Sequence, residues 1–262
     1  MNDNPPIHIT RWGSEGPVVV MIHGSAQGSH IGGDQHFAAQ QKLASRGWQL
    51  VVPDRPGHGQ SPAPGRPDDA VLDGRWAAGL LAEGAHLVGH SFGGAVALCA
   101  AGQRPGVVRS LTMIEPAIMS LAIADSQVQA FIVKQIELFT SGRPPHELMA
   151  EFCRMVGVPE RFRGEPGDAD EMARVGQALM QIRIPPDETL RECAATVVRA
   201  GIPVLIVTGG WNPAFEATAA TAAALMNGRH QVIASPHHFP HLVNDQFNDL
   251  LNDFMKDAER AR

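Results

Sequence analysis

Nearly continuous apolar runs, spaced along the chain, constrain its fold more than any other feature. The five clearest cover residues 17–23, 48–54, 85–90, 107–115 and 203–209, and a weaker one covers 230–234. Strands with so little alternation are buried on both faces, as in a parallel sheet. Helix-like segments lie between or after them, at 35–46, 69–83, 92–104, 214–227 and 242–258. This order predicts an α/β fold, a mostly parallel central sheet with helices on both faces.

One long segment interrupts the alternation. Residues 117–201 contain no convincing strand, and their pattern indicates four helices, at 125–140, 145–156, 168–182 and 187–199. We therefore predict an α/β core formed by residues 1–116 and 202–262, and a helical cap or lid formed by residues 117–201. The apolar side chains of the cap are expected mainly to pack against one another, while some face a pocket for an apolar substrate.

Composition and charge exclude several classes of function. The formal net charge is −6 and no long basic run is present, so we expect no binding to nucleic acid. The first residues do not read as a signal peptide, and no apolar run has membrane-spanning length, so we expect no membrane association. Three cysteines, Cys99, Cys153 and Cys193, lie far apart without metal-like spacing. Free thiols in a cytoplasmic protein without a metal site fit this pattern.

A serine lies at a tight corner between a predicted strand and a predicted helix. The stretch HLVGHSFGGAVAL, residues 86–98, contains Gly89-His90-Ser91-Phe92-Gly93. The order strand, G-x-S-x-G, helix is the pattern of a nucleophile elbow, in which the glycines give the strand and the helix room to approach. The free N–H groups at the start of the helix favour negative charge. We predict that Ser91 is a nucleophile.

Further motifs accompany this elbow. Ile22-His23-Gly24-Ser25 ends an early strand, the loop D-R-P-G-H-G-Q-S at 54–61 follows the next one, and a histidine motif follows the last. In this order, and over nearly the whole chain apart from the cap, the sequence resembles the α/β-hydrolase superfamily. A backbone N–H of Ser25 would join that of Phe92 in an oxyanion hole. The resemblance implies mostly structural roles for Asp54, His58 and Ser61.

Three histidines near the end of the chain are candidates for the general base. His237, His238 and His241 follow the last strand, and His238-Phe239-Pro240-His241 matches the family ending G-H-F-P-H. The resemblance assigns His238 as the base, with His237 as the weaker alternative. His241 is expected to cap or pack at the start of the last helix.

The position of the triad acid departs from that in many relatives. They carry an aspartate after the strand written PVLIVTG here, where this chain has Asn212, an amide without charge. Glu115 ends the strand that follows the nucleophile helix, so it faces the same crevice as Ser91. Haloalkane dehalogenases and zearalenone-type lactone hydrolases resemble this arrangement, with the acid after the sixth core strand. We predict the triad Ser91, His238 and Glu115; a lid anchor or helix cap is the other interpretation of Glu115, and Glu216 is a weaker candidate acid.

The expected chemistry follows from the nucleophile. A serine beside an oxyanion hole suits acyl transfer to water, whereas haloalkane dehalogenases use an aspartate nucleophile. We expect a hydrolase without cofactor that cleaves an ester or lactone of a small, largely apolar substrate, with Trp211 and Asn212 as candidate substrate contacts. A C–C bond hydrolase with the same machinery and a non-catalytic ligand-binding relative remain open, as does a homodimer.

Overall fold

The computed structural model describes residues 7–25, 27, 37–160 and 169–262. Its strands are β1 (Ile9–Trp12), β2 (Val18–Ile22), β3 (Gln49–Pro53), β4 (Ala85–His90), β5 (Val108–Ile114), β6 (Val204–Thr208) and β7 (Arg229–Val232). Its α-helices are α1 (Ala70–Gly79), α2 (Phe92–Gln103), α3 (Ser126–Phe139), α4 (Pro145–Met155), α5 (Ala169–Met180), α6 (Asp187–Arg199), α7 (Pro213–Leu225) and α8 (Gln246–Arg260). Short 3₁₀ helices cover Ala38–Arg46, Pro105–Val107, Met119–Ala122 and Pro240–Leu242.

The strands form one sheet in the order β1-β3-β2-β4-β5-β6-β7. All neighbours run parallel except β1, which pairs antiparallel with β3. The predicted fold class, a mostly parallel sheet with helices on both faces, is confirmed. Strand β1 was not predicted, because this short edge strand is only partly buried and lacks an apolar run. The helix predicted at 35–46 begins outside the described residues, and its described part is the 3₁₀ helix Ala38–Arg46.

Both faces of the sheet are buried, which explains the continuous apolar runs. In β2, Val20 and Ile22 pack into one core cluster, whereas Val19 and Met21 pack into another. Side chains of α1, α2, α6 and α7 complete the first cluster, and those of α8 and of the 3₁₀ helix Ala38–Arg46 complete the second. Alternate residues of β2 therefore pack on opposite faces of the sheet.

Helices α3–α6 lie between β5 and β6, in the stretch predicted as a cap, which we call the insertion (residues 117–201). Helices α4 and α5 share a small apolar cluster, and α3 packs on α7 with the rings of Phe131 and Phe215 5.6 Å apart. Helix α6 differs, because Leu190, Ala194 and Val197 are buried in the main core cluster beside α2. The predicted boundary at 201 therefore places in the cap one helix that packs on the core.

A buried histidine joins the sheet to the last helix. In β4, His86 Nδ1 lies 2.8 Å from Ser110 Oγ, and Nε2 lies 3.2 Å from a carboxylate oxygen of Glu259 in α8. The edge of its ring meets Trp48, with ring centroids 5.2 Å apart. Burial lowers the pKa of His86 from 6.5 to about 4, although the Glu259 carboxylate acts in the opposite direction.

The low pKa of His86 predicts a loss of stability in mild acid. Between the unfolded pKa of 6.5 and the native pKa of about 4, the unfolded chain binds a proton that native His86 does not. The free energy of unfolding therefore decreases as the pH is lowered through this window. His86 contributes about 2 kcal/mol of the decrease between about pH 7 and about pH 5. Urea denaturation at both pH values should show a smaller fall for His86→Gln than for the wild type. Equal falls would contradict the prediction.

Candidate active site

Ser91 lies between the end of β4 and the start of α2 in a strained backbone conformation. Its φ is 55° and its ψ is −123°, a region that residues other than glycine rarely adopt. The Ser91 amide donates to the Ile114 carbonyl at 2.9 Å, and the Ser91 carbonyl accepts from the amides of Gly94 and Ala117 at 2.9 and 3.0 Å. These bonds tie the corner to β5, to α2 and to the start of the insertion.

Glycines around Ser91 allow three segments to come together. A Cβ added at Gly89 would lie 2.2 Å from the Gly93 carbonyl oxygen, and one added at Gly93 would lie 2.3 Å from the Ile22 carbonyl oxygen. A Cβ added at Gly24 would lie 2.9 Å from the Cβ of Ser91. The strand, the helix and the loop that carries Ser25 thus approach too closely for side chains, which confirms the reason predicted for the elbow glycines.

Glu115 occupies the matching corner at the end of β5, the fifth described strand in chain order. His90 pairs with Ile114 in the register of β4 and β5, so Ser91 and Glu115 follow at the same edge of the sheet. Glu115 has a positive φ of 46°, and its side chain is completely buried. Its Oε1 accepts from the Gly209 amide at 2.6 Å, and its Oε2 lies 3.3 Å from His238 Nδ1. Both oxygens of this costly buried group therefore have partners.

His238 is held from several sides. Its ring is buried, with the centroids of the His90 and Phe215 rings 4.8 and 4.9 Å away. Its amide donates to the Gly157 carbonyl in the loop after α4 at 3.1 Å, and its carbonyl accepts from His90 Nε2 at 2.8 Å. Burial and the neighbouring His241 and His238 hold the pKa of His90 well below its usual value. His90 is therefore neutral near pH 7, with its proton on the nitrogen that donates to His238.

Ser91 and His238 line one small cavity, which we call the catalytic cavity. Its volume is about 40 Å³, and Ser25 and Gln27 also line it. The remaining wall is apolar and comes mostly from α4 and the loop after it, with Met149, Phe152, Cys153, Val156, Val158 and Phe239. Helix α4 therefore covers Ser91, and some apolar side chains of the insertion face the site.

The alternative acids have other contacts. The Asn212 side-chain oxygen accepts from the Ala214 amide at 2.9 Å and caps the N-terminus of α7. Glu216 accepts from the Gly210 amide and from the Thr208 hydroxyl, each at 2.9 Å. The structure thus pairs His238 with Glu115, and it gives Asn212 and Glu216 structural contacts.

The remaining predicted residues have packing roles in the structure. Trp211 lies beside the base, with ring centroids 5.5 Å from Phe215 and 6.1 Å from His238. Neither Trp211 nor Asn212 is among the residues that line the catalytic cavity, and their role as substrate contacts stays a prediction. His237 Nδ1 lies 3.1 Å from Ser235 Oγ, and buried His241 lies in the 3₁₀ helix Pro240–Leu242 before α8.

A buried ion-pair network that the sequence did not predict lies next to the loop of Gly24 and Ser25. Fully buried Arg55 donates to Asp73 at 2.7 Å, to Asp68 at 2.9 Å and to the Gly24 carbonyl at 3.3 Å. Its guanidinium carbon lies 4.7 Å from the centroid of the Phe92 ring. Burial alone would raise the pKa of Asp68, but Arg55 and His58 hold it well below its usual range. The network joins the loop of Ser25 to the helix of Phe92.

The described residues offer neither a metal-binding cluster nor a membrane-spanning helix. Among them, no group of three or more His, Cys, Asp or Glu side chains is placed to hold a metal ion. No helix within the described ranges is long and apolar enough to cross a membrane. Cys99 and Cys193 are free thiols.

Comparison with known proteins identifies the family. Residues 19–250 match the model of the alpha/beta hydrolase family. The chain belongs to this family. This alpha/beta hydrolase is 32% identical over 184 residues to the dihydrolipoyllysine-residue acetyltransferase component of the acetoin cleaving system of Pseudomonas putida. That alignment covers 59% of the chain and 46% of the relative. The chain is 34% identical over 123 residues to lipase LipV of Mycobacterium tuberculosis, which covers 43% of the chain and 42% of the relative.

The aligned segments span less than half the length of these two curated relatives. Among solved structures, the enol-lactonase of Burkholderia xenovorans LB400 is 17% identical over 95% of this chain and 96% of its own, with a TM-score of 0.66. A putative ancestral haloalkane dehalogenase is 21% identical over 97% of this chain and 96% of its own, with a TM-score of 0.69. At these identities the likeness shows a shared fold, which confirms the predicted resemblance at that level.

We expect Arg55→Met to lower the free energy of unfolding of this alpha/beta hydrolase by about 3–5 kcal/mol, because Asp68 would lose its arginine and buried Asp73 would keep only Arg66 as a cation. Lys42→Met, the matched control, breaks the exposed Lys42–Asp245 pair and should cost less than about 1 kcal/mol. Urea denaturation measures both losses. The triple variant Arg55→Met/Asp68→Asn/Asp73→Asn should recover part of the loss; a further loss there would contradict this interpretation.

Proposed function

We propose that this protein is a serine hydrolase that cleaves a carboxylic ester or a lactone through an acyl-enzyme. The observation that carries the proposal is the buried pair of His238 Nδ1 and Glu115 Oε2, 3.3 Å apart, with His238 lining the same cavity as Ser91. A carboxylate on Nδ1 holds the imidazole in the tautomer whose Nε2 can accept the serine proton. The Gly209 amide on the other oxygen of Glu115 keeps this orientation.

The reaction would proceed in two halves. Ser91 Oγ attacks the carbonyl carbon while His238 takes its proton, and Glu115 stabilises the imidazolium. The oxyanion accepts hydrogen bonds from the backbone N–H groups of Phe92 and Ser25, the first of which lies at the positive end of α2. His238 then protonates the leaving oxygen. Water, deprotonated by His238, attacks the acyl-enzyme and releases the acid.

The strain at the two corners is consistent with this use. Ser91 and Glu115 are two of the four described residues other than glycine with positive φ. Such conformations cost of order 1–3 kcal/mol each and concentrate at functional sites, where the surrounding structure holds them. Here they lie on adjacent strands, at the carboxyl edge where ligands of α/β folds bind.

The names of the relatives are consistent with the same chemistry. One relative is named a lipase and one structural neighbour an enol-lactonase, names that refer to hydrolysis of esters and of lactones. The apolar wall of the catalytic cavity supports an apolar group beside His238.

If Glu115 is the triad acid, activity should depend on Glu115 and not on Asn212. We expect Ser91→Ala and Glu115→Gln each to lower kcat/KM for p-nitrophenyl acetate by about a thousandfold or more, because each removes a member of the triad. Asn212→Ala and Glu216→Gln should stay within about threefold of the wild type, although the first loses a helix cap worth about 1 kcal/mol. Initial rates of p-nitrophenol release, with circular dichroism as the folding control, measure this.

Two results would contradict the proposal in different ways. Loss of activity in Asn212→Ala with an unaffected Glu115→Gln would move the acid to the loop after β6. Failure of a fluorophosphonate probe to label Ser91 in the wild type would contradict the assignment of Ser91 as nucleophile. It would favour the non-catalytic, ligand-binding interpretation.

A further inference from the structure

A second and larger cavity lies beside the catalytic cavity, and we call it the side cleft. Its volume is about 460 Å³, within the range of small-molecule sites. One wall is the loop of residues 56–68 and the other is helix α5. Ser25 and Gln27 line both the side cleft and the catalytic cavity. A substrate whose carbonyl oxygen lies at the Ser25 amide therefore reaches both spaces.

The position of His238 determines which part of the substrate would occupy the catalytic cavity and which the side cleft. The leaving oxygen receives its proton from the imidazole, so the leaving group lies on the His238 side of the carbonyl. His238 lines the catalytic cavity and is not among the residues that line the side cleft. The catalytic cavity, at about 40 Å³, is much smaller than the side cleft, at about 460 Å³. A short alcohol therefore fits beside His238, and the acyl chain extends past Ser25 into the side cleft.

Most charged groups in and beside the side cleft belong to the Arg55 network, in which each charge has a partner of opposite sign. Asp68 accepts from Arg55 at 2.9 Å and lies 3.3 Å from His58 Nε2, while Arg66 donates to Asp73 at 2.6 Å. The charges of this network cancel.

Arg174, on the α5 wall, is the remaining cation of the cleft. Its residue is exposed, and no ion pair joins it to a described side chain. A guanidinium binds a carboxylate through two parallel hydrogen bonds, so an uncompensated arginine in a cleft favours an anionic group there.

We propose, on the basis of the function proposed above, that the substrate is an ester of a short alcohol with an acid whose chain ends in a second carboxylate, and that Arg174 binds this carboxylate. The bond between Ser91 Oγ and the acyl carbon forms, the bond to the alkoxy oxygen breaks, and the serine proton passes through His238 to the leaving alcohol. Water then adds its hydroxyl to the acyl carbon, the bond between Ser91 Oγ and the acyl carbon breaks, and the remaining proton of the water passes through His238 to Ser91 Oγ. The products are the alcohol and a dicarboxylate.

The test compares pairs of methyl esters that differ only at the far end of the acyl chain. Monomethyl succinate, adipate and suberate each carry a carboxylate where methyl butanoate, hexanoate and octanoate carry a methyl group. We expect kcat/KM to favour the anionic member of at least one pair by about tenfold or more, which is the effect of one hydrogen bond to a charged group. Equal rates, or faster cleavage of the neutral ester in every pair, would overturn the proposal.

Variants of Arg174 locate the effect. Arg174→Ala should lower kcat/KM for the preferred anionic ester about tenfold, mainly through KM, and leave its neutral partner within about twofold. Arg174→Lys should recover part of the loss, and Arg174→Glu should deepen it. Arg154→Ala is the matched control, since it removes an exposed arginine of the insertion that lines neither cavity. Equal effects of Arg154→Ala and Arg174→Ala, or equal effects on both esters, would overturn the proposal.

Binding to an inactive variant separates this inference from the proposed function. Isothermal titration of Ser91→Ala with the monomethyl esters and their neutral partners measures binding affinity without turnover. Tighter binding of an anionic ester than of its neutral partner, lost in Ser91→Ala/Arg174→Ala, supports the inference even if the wild type hydrolyses neither. Absence of this difference overturns it even if the wild type proves to be an esterase.

Discussion

The buried carboxylate of Glu115 is the constraint on which the site depends. A charge with no exposure to water is costly unless hydrogen-bonding groups surround it, and here the Gly209 amide and the His238 ring do so. Both can reach it because β4, β5 and β6 are adjacent parallel strands whose carboxyl ends share an edge. The pairing register that buries the sheet therefore also sets the positions of Ser91, Glu115 and the loop beneath His238.

Sequence reasoning could recover the parts of this arrangement that depend on local pattern. The buried strands and their helices were predictable because both faces of the sheet are covered, so each strand reads as an unbroken apolar run. Ser91 and Glu115 were predictable as neighbours because each ends such a run on either side of one helix. Strand β1 escaped prediction because its partly buried side chains carry little apolar signal, and α6 was placed in the cap because sequence order does not show which surface a helix covers.

Other features depend on contacts between distant segments, which no local pattern reports. The Arg55 network combines residues from a loop, a linker and the first turn of α1, and the full burial of Arg55 at their meeting point is not visible in the sequence. The side cleft exists only because α5 lies across the loop of residues 56–68. Asn212 shows the limit most directly: its lack of charge was visible, but its bond to the Ala214 amide required the geometry of α7.

The hydrogen bond between the His238 amide and the Gly157 carbonyl joins the base to the insertion. Gly157 has a φ of +65°, and a Cβ added there would lie 2.9 Å from the indole of Trp211, beside the ring of His238. A chimera that exchanges α3–α5 for the helices of a relative would have to present a carbonyl at this place without a side chain. Exchanging these helices would therefore alter the support of His238 together with the lining of the catalytic cavity, so the proposed selectivity and turnover would change together.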